Sequence, residues 1–161
     1  MRHKCWIAAG IIVAIVVAAA IFGLTRFDLS ALPEPGRFET SMATKAKNWY
    51  IGRAAHDALP AAPADNAASI AAGSSLFGMD CASCHGEDGR KLTPIGRSMY
   101  PRAVDLGSTQ VQRMSDREIF WVIKNGIRLS GMPGFARINS DQEIWQLAYY
   151  VRSLGNKAHG N

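Results

Sequence analysis

The sequence predicts an all-α protein, and three observations support this fold class. The segments SDREIFWVIKNG (115–126) and SDQEIWQLAYYVRSLG (140–155) each begin with serine, carry glutamate three residues later and end at glycine. These are the start and stop signals of helices. A third segment, 69–79, repeats apolar residues at a helical period. No segment alternates apolar and polar residues convincingly, as a half-buried strand would.

The N-terminal segment Cys5–Thr25 contains no charged side chain. At about 1.5 Å per residue it would form a helix about 31 Å long, close to the thickness of a bilayer's hydrocarbon core. We therefore expect residues 1–25 to form a transmembrane anchor, with its basic start in the cytoplasm and the following chain exported. The alternative is a cleaved secretory signal, because Ala18-Ala19-Ala20 resembles a cleavage site.

Residues 26–68 are predicted to be an Ala/Pro-rich linker that contains one short helix. ALPEPG and ALPAAPADNAAS have the composition of a semi-stiff spacer. Between them a helix is expected, with Thr40 or Ser41 as its N-cap. Its Trp49 and Tyr50, with nearby basic residues, suit a segment that rests on a membrane or a partner. The alternative is a loosely ordered linker whose aromatic side chains touch the following domain.

The stretch CASCHGEDG (81–89) combines two thiols and an imidazole. A dithiol redox centre would use only Cys81 and Cys84. A structural zinc site would need a second pair of ligands, which the chain lacks, since its third cysteine is Cys5. Covalent haem attachment uses all three residues, because both thiols bind the porphyrin and His85 binds the iron. We therefore predict one covalent haem c, with the dithiol centre as the alternative.

Residues 86–114 show little regular structure, which is unusual inside a small domain. A haem explains this segment, because it supplies apolar surface for loops to surround in a domain of about 90 residues. We expect six residues to form walls of the haem site: Pro94, Ile95, Tyr100, Pro101, Val104 and Leu106. Each of the six would alternatively serve as an ordinary loop anchor.

Electron carriers with a histidine ligand commonly place a methionine sulfur on the other side of the iron. Met132 lies in SGMPGF, a loop between two predicted helices, where Gly131 permits close backbone approach and Pro133 stiffens the chain. Met114 directly precedes a helix N-cap and is expected to pack beneath that helix. We predict Met132 as the second axial ligand, with Met99 as the alternative.

Residues 69–155 resemble a class I c-type cytochrome, especially the small bacterial domains found as membrane-anchored carriers or as subunits of respiratory oxidases and dehydrogenases. The resemblance rests on Gly73 and Phe77 ahead of CASCH, and on YPRAVDL, KNGIRLSGMPGF and EIWQLAYYVRSL. It implies a cytochrome c fold over residues 69–157, with three main helices and long loops around one haem. It also implies that Gly73 and Phe77 meet Tyr149, and that a loop carbonyl accepts a hydrogen bond from the haem-ligating histidine. Where relatives often have proline before the D-L pair, this chain has valine.

The expected function is single-electron transfer, with Cys81 and Cys84 holding the porphyrin and His85 and Met132 binding the iron. Full coordination leaves no open position for a substrate, so we do not expect an enzyme. The expected partners are redox proteins docking at the haem edge, on the periplasmic side of a bacterial inner membrane. Alternatives are a permanently bound subunit of an oxidase or dehydrogenase complex and, with Met132 displaced, an open-site haem enzyme such as a peroxidase.

The chain has a net charge of +5 at pH 7. Basic residues near the expected haem rim would attract an acidic partner and speed association. Five are expected there: Arg97, Arg102, Lys124, Arg128 and Arg137. The alternative is a solvated basic face without a partner. Nucleic-acid binding is not expected, because an exported domain rarely meets nucleic acid.

Overall fold

The computed structural model describes residues 2–26, 30–57 and 59–156, and it is helical without strands across those ranges. The chain divides into two units, residues 1–30 and 31–161. The helices are α1 (Arg2–Arg26), α2 (Arg37–Ala54), α3 (Ala67–Asp80), α4 (Ala82–His85), α5 (Pro94–Ser98), α6 (Thr109–Gln112), α7 (Asp116–Asn125) and α8 (Asp141–Asn156). The all-α prediction is confirmed for the described residues, with α3, α7 and α8 as the three main helices of the predicted domain.

The first unit contains α1, which coincides with the predicted transmembrane anchor. Within the described ranges, no helix combines the length and the apolar character needed to cross a membrane. The predicted transmembrane helix is therefore not supported by the structure. Residues 27–29, 58 and 157, which belong to the predicted linker and to the predicted end of the domain, lie outside the described residues.

The centre of the core is a close crossing of α3 and α8. An added Cβ at Gly73 would lie 2.0 Å from the backbone oxygen of Gln146, so only glycine fits at this contact. One turn further along α3, the Phe77 ring packs on the Tyr150 ring with centroids 5.0 Å apart. Because Phe77 is only 1% exposed, the crossing is sealed by interlocking apolar side chains.

The aromatic residue that meets Gly73 and Phe77 is thus Tyr150, and the predicted partner Tyr149 was wrong by one position. Tyr150 follows Gln146 by one helical turn and therefore shares the face that α8 presents to α3. Tyr149 points elsewhere, since its hydroxyl donates to the Pro63 carbonyl at 2.9 Å.

Both predicted capping boxes are present, at the starts of α7 and α8. The Ser115 Oγ accepts from the Glu118 N–H at 3.3 Å, and the Glu118 carboxylate accepts from the Ser115 N–H at 2.7 Å. Ser140 and Glu143 exchange the same two bonds, at 3.4 and 2.7 Å. α7 ends at Gly126, as its sequence predicts. These local signals define where the two helices begin.

α2 is longer than the short helix predicted in the linker. It begins at Arg37, and its N-cap is Gly36, which makes no side-chain capping bond. Neither Thr40 nor Ser41 caps the helix, because both lie inside its first turns. An N-cap can be glycine as well as a hydroxyl-bearing residue, which is why the serine and threonine misled the prediction.

α2 packs against α7 in the second unit. Ile51 and Ala55 are 3% and 4% exposed, and the Tyr50 ring meets the Trp121 ring edge to face, with centroids 5.7 Å apart. Arg117 on α7 donates to two backbone carbonyls just after the end of α2, at 2.9 and 2.8 Å. α2 is therefore an ordered part of this unit, and of its two adjacent aromatic residues Tyr50 is the one that packs on α7.

Residues 59–66, part of the predicted spacer, lie against α8. The Trp145 indole donates to the Pro60 carbonyl at 3.3 Å. At the other end of the segment, the Asn66 side chain accepts from the Ser69 N–H at 2.9 Å and caps α3. This Ala/Pro-rich segment therefore packs on the domain and connects α2 to α3 in a fixed position.

Candidate haem-binding site

The CASCH stretch forms a single helical turn, α4, directly after α3. The backbone N–H groups of Cys84 and His85 both donate to the Cys81 carbonyl, at 3.1 and 3.0 Å. Residues three and four apart lie on the same face of a helix, so this turn brings Cys81 near both Cys84 and His85. Cys81 and His85 line the cavity described below, whereas Cys84 is not part of its lining. The local backbone therefore explains why the motif has this spacing.

The loop after α4 fixes the carbonyl end of that turn. Thr93 donates to the Cys84 carbonyl through its N–H (3.3 Å) and to the Ser83 carbonyl through its hydroxyl (2.6 Å). An added Cβ at Gly96 would lie 2.1 Å from the Cys84 carbonyl oxygen, so α5 approaches α4 through a glycine. Sequence reasoning missed α5, although Thr93 followed by Pro94 is a recognised helix start.

His85 is half-buried, and its Nδ1 lies 2.9 Å from the Val104 carbonyl oxygen. Because a carbonyl only accepts, Nδ1 carries the proton and the Nε2 lone pair is available. Burial lowers the pKa of His85, and the bond to Val104 opposes that effect. The ring is therefore neutral at pH 7, which is the form of imidazole that binds a metal.

Val104 is the carbonyl acceptor that the family resemblance implied but the sequence could not identify. Hydrogen bonds on both sides of it fix the loop: the Ala103 N–H donates to the Gly96 carbonyl and the Leu106 N–H donates to the Gly89 carbonyl, both at 2.9 Å. Since the acceptor is a backbone atom, valine in place of the relatives' proline leaves it intact. No side-chain pattern signals such a role.

An apolar cavity with about 810 Å³ of empty space, partly open to solvent, lies beside His85. Cys81, Val104 and Met132 also line it. Its other apolar walls come from α2, α3, α6, α7, α8 and three loops: Ile51, Phe77, Leu106, Val111, Met114, Ile119, Val122, Ile123, Ile127, Leu147 and Val151. Cofactor sites are typically concave and mostly apolar, with a few polar groups. The residues present thus fit a large apolar group such as a haem.

Two of the six predicted wall residues, Val104 and Leu106, line this cavity. The other four do not belong to the lining: Pro94, Ile95, Tyr100 and Pro101. Ile95 is 56% exposed, and the Tyr100 hydroxyl donates to the Glu39 carboxylate at 2.5 Å. These two residues therefore occupy positions other than the cavity wall.

Met132 reaches the cavity from a loop that doubles back on α7. The Ile127 N–H donates to the Met132 carbonyl at 3.2 Å, and the Met132 N–H donates to the Ser130 Oγ at 3.2 Å. After the methionine, the Phe135 N–H donates to the Ile123 carbonyl at 3.0 Å. Backbone bonds on both sides thus hold this side chain at the cavity.

The other two methionines considered as ligands occupy different places. Met114 lines the cavity and packs on the core, as expected for a residue beneath α7. Met99 is not part of the lining, and its Sδ lies over Gly131, where an added Cβ would be only 2.6 Å from the sulfur. The structure therefore gathers His85 and Met132 at one cavity and gives Met99 a packing position beside Gly131.

The environment of Cys81 disfavours a reactive dithiol. Burial, together with the charges of Asp80 and Cys84, raises the pKa of the Cys81 thiol to about 12. Redox-active thiols of C-x-x-C motifs instead have lowered pKa values, because the thiolate is the nucleophile. Cys81 is accordingly protonated at pH 7 and suits a structural attachment better than thiol exchange.

The five basic residues predicted near the haem rim fall into three groups. Lys124 and Arg102 form ion pairs with carboxylates. Arg97 donates to a backbone carbonyl. Arg128 and Arg137 are exposed and have no ion-pair partner within the described ranges. Among the described residues, Arg97, Arg128 and Arg137 therefore present positive charge to solvent without a carboxylate partner.

Comparison with known protein families identifies the family to which this site belongs. The model of the family described as cytochrome c oxidase, cbb3-type, subunit III matches residues 68–151. The chain belongs to this family. The matched segment covers more than half of the sequence and includes α4, Val104 and Met132. As a cytochrome c domain it carries covalently bound haem c.

A solved structure supports the same conclusion. A chain of the reducing HAO-like protein complex of Kuenenia stuttgartiensis is 25% identical and superimposes with a TM-score of 0.53. The alignment covers 58% of this chain and 47% of that one, so the likeness spans about half the length of the solved chain. No curated protein matches the sequence.

Proposed function

We propose that this chain is a single-electron carrier in which Cys81 and Cys84 hold one haem c, and His85 and Met132 bind its iron. One observation carries the proposal: the two candidate axial ligands come from α4 and from the loop after α7, yet both line one apolar cavity beside Cys81. Haem, when bound, supplies an iron that cycles between Fe(II) and Fe(III). Cytochromes c typically transfer electrons without catalysing a further reaction.

The residues of the chain would tune that iron in three ways. The Val104 carbonyl fixes the tautomer and the orientation of the His85 ring. A thioether ligand from Met132 favours Fe(II) and so raises the reduction potential relative to two histidines. The apolar lining limits water near the iron and disfavours the more highly charged state. With both axial positions filled by the chain, no position is left for a substrate.

Spectroscopy and redox titration of the protein, expressed with a haem-attachment system, test this function. We expect one haem per chain, a low-spin spectrum, the weak long-wavelength band of sulfur-ligated Fe(III), and a reversible one-electron titration. A high-spin oxidised spectrum at rest would instead support an open-site enzyme such as a peroxidase.

A second candidate is a permanently bound electron-transfer subunit of a larger oxidase or dehydrogenase. The matching family is described as an oxidase subunit, and the similar solved chain comes from a protein complex. Purification in mild detergent separates the candidates. Co-elution with other chains supports the subunit, whereas elution of the chain alone supports an independent carrier that meets its redox partners by docking.

We further propose that the haem domain lies on the periplasmic side of a bacterial inner membrane, held there through residues 1–25. The support is in the sequence: a basic start followed by Cys5–Thr25, which has no charged side chain. Cell fractionation followed by intact-mass measurement tests this location. Membrane-bound protein with its complete N-terminus supports an anchor, whereas a mature chain that begins after Ala20 supports a cleaved signal.

A further inference from the structure

α2 precedes the segment that the family match covers, yet it forms part of the cavity. The match begins at residue 68, whereas Lys47, Asn48 and Ile51 of α2 line the cavity. The helix is fixed there by the burial of Ile51 and by the bonds from Arg117 to the carbonyls that follow α2. This chain therefore closes its haem cavity with an element that is additional to the matched segment.

Lys47 occupies an unusual position on α2. It lies four residues before Ile51 and eight before Ala55, so it shares the helix face that is buried against the rest of the unit. Lys47 is half-buried, and burial lowers the pKa of its ammonium group. In the part of the chain that the structure describes, no carboxylate lies within 4 Å of that group. An anion in the cavity would stabilise this half-buried cation.

The polar groups at this end of the cavity form a small cluster. Lys47, Asn48 and Gln110 line the cavity, and an adjoining hollow of about 400 Å³ shares Asn48 and Gln110 with it and adds Arg113 and Glu118. The Glu118 carboxylate accepts two hydrogen bonds from Ser115 in the capping box of α7. Two cations and two amides thus gather where the otherwise apolar cavity meets α2 and α6.

Haem has two carboxylates, both on one edge of the porphyrin, and the rest of the ring is apolar. We infer that the haem carboxylates lie at the α2 end of the cavity, and that Lys47 forms an ion pair with one of them, with Arg113 at the outer side. Lys47 is then a positioning residue that couples the docking of α2 to the presence of haem. The inference depends on the proposed function only in that haem occupies this cavity.

The pairing has a consequence for the iron. A positive charge beside the haem favours Fe(II) over Fe(III), because it disfavours the extra positive charge of the oxidised state. The same charge keeps the neighbouring carboxylate ionised to lower pH. Both the reduction potential and its dependence on pH therefore report on Lys47.

The test compares Lys47→Gln and Lys47→Arg with Lys45→Gln, in the haem-loaded full-length protein. Lys45 is an exposed lysine two residues away on the same helix, so its replacement removes equal charge without reaching the cavity. We expect Lys47→Gln to lower the midpoint potential and to move the carboxylate-linked step of its pH profile upward by about one pH unit. Lys47→Arg should restore both properties, and Lys45→Gln should match the wild type.

A midpoint potential and pH profile that are the same in Lys47→Gln and Lys45→Gln would overturn the inference. If Lys47→Gln does not fold, Lys47→Met decides by the same comparison, because it keeps the apolar stem that packs at the cavity. Absence of haem from the wild-type protein would contradict the proposed function. If the wild-type protein carries haem, the reduction potentials of the variants test the role of Lys47 by itself.

Discussion

The core and the haem cavity of the same unit are built in different ways. In the core, α7 and α8 bury Phe120, Ile144 and Leu154 to 1% exposure or less, so the chain fills this space by itself. In the cavity, other apolar residues of these helices face a partly open space bordered by loops and by α2. The core therefore depends on the chain alone, whereas the cavity depends on the chain together with its cofactor.

The largest expected effect comes from removing the attachment to haem. In Cys81→Ala/Cys84→Ala we expect loss of essentially all covalent haem, because no thiol remains beside the cavity to bind the porphyrin. Amide exchange should increase most in the loops that enclose the cavity, residues 86–108 and 126–135, and least in α8. Hydrogen exchange measured by mass spectrometry checks this, with Cys5→Ala as a control that keeps its haem. An equal increase of amide exchange in α8 and in the loops would contradict the proposed difference between core and cavity.

The next effect concerns the core. Leu154→Ala should lower the free energy of unfolding by about 2–5 kcal/mol, because it opens a cavity among close-packed side chains. Leu154 does not line the haem cavity, so the reduction potential should stay unchanged. Denaturant titration of the haem-loaded protein measures the stability. Leu129→Ala is the control, because Leu129 is 91% exposed and its truncation should change stability by less than about 0.5 kcal/mol.

Changing the proposed axial ligand Met132 tests the cavity alone. Met132→Ala should remove the sulfur–iron band and lower the reduction potential, because the iron loses a ligand that favours Fe(II). Met99→Ala should keep the band, since Met99 packs over Gly131 away from the lining. Absorption spectra of the two oxidised variants decide between the sulfurs. Loss of the band in Met99→Ala with its retention in Met132→Ala would assign the ligand to Met99.

The smallest effect is expected at the start of α8. Hydrogen bonds from the Ser140 hydroxyl and N–H lower the pKa of Glu143 from its ordinary value of 4.5. A lowered pKa in the folded state means that this stabilisation is present above pH 4.5 and is lost as the pH falls below the folded-state pKa. Glu143→Gln should therefore be less stable than the wild type at pH 7 and nearly equal to it in strong acid. Urea titrations at both pH values measure this, and a Glu143→Gln variant that is equally destabilised at both pH values would contradict it.

The parts of the fold that the sequence predicted are encoded locally. Ser115 with Glu118, and Ser140 with Glu143, exchange bonds within one turn, so their spacing alone marks the helix starts. The turn of α4 is local in the same sense, because its bonds join residues three and four apart. Such features need no knowledge of the rest of the chain.

The parts that sequence reasoning missed depend on contacts between distant residues. Tyr150 and not Tyr149 meets Phe77 because of the face of α8 that packs on Gly73. The sequence does not distinguish the two adjacent tyrosines, because both belong to the apolar side of the helix. The docking of α2 depends on Arg117, which lies about sixty residues after it. The hydrogen-bond acceptor for His85 is a backbone atom of Val104, so no residue type in the sequence predicts it.

The mass of the purified chain under denaturing conditions tests the central claim most directly. Because thioether bonds survive unfolding, the account predicts a mass equal to the polypeptide plus one haem, and a polypeptide plus nothing in Cys81→Ala/Cys84→Ala. A wild-type mass equal to the bare polypeptide would contradict a covalently held haem, and with it the assignment of this cavity.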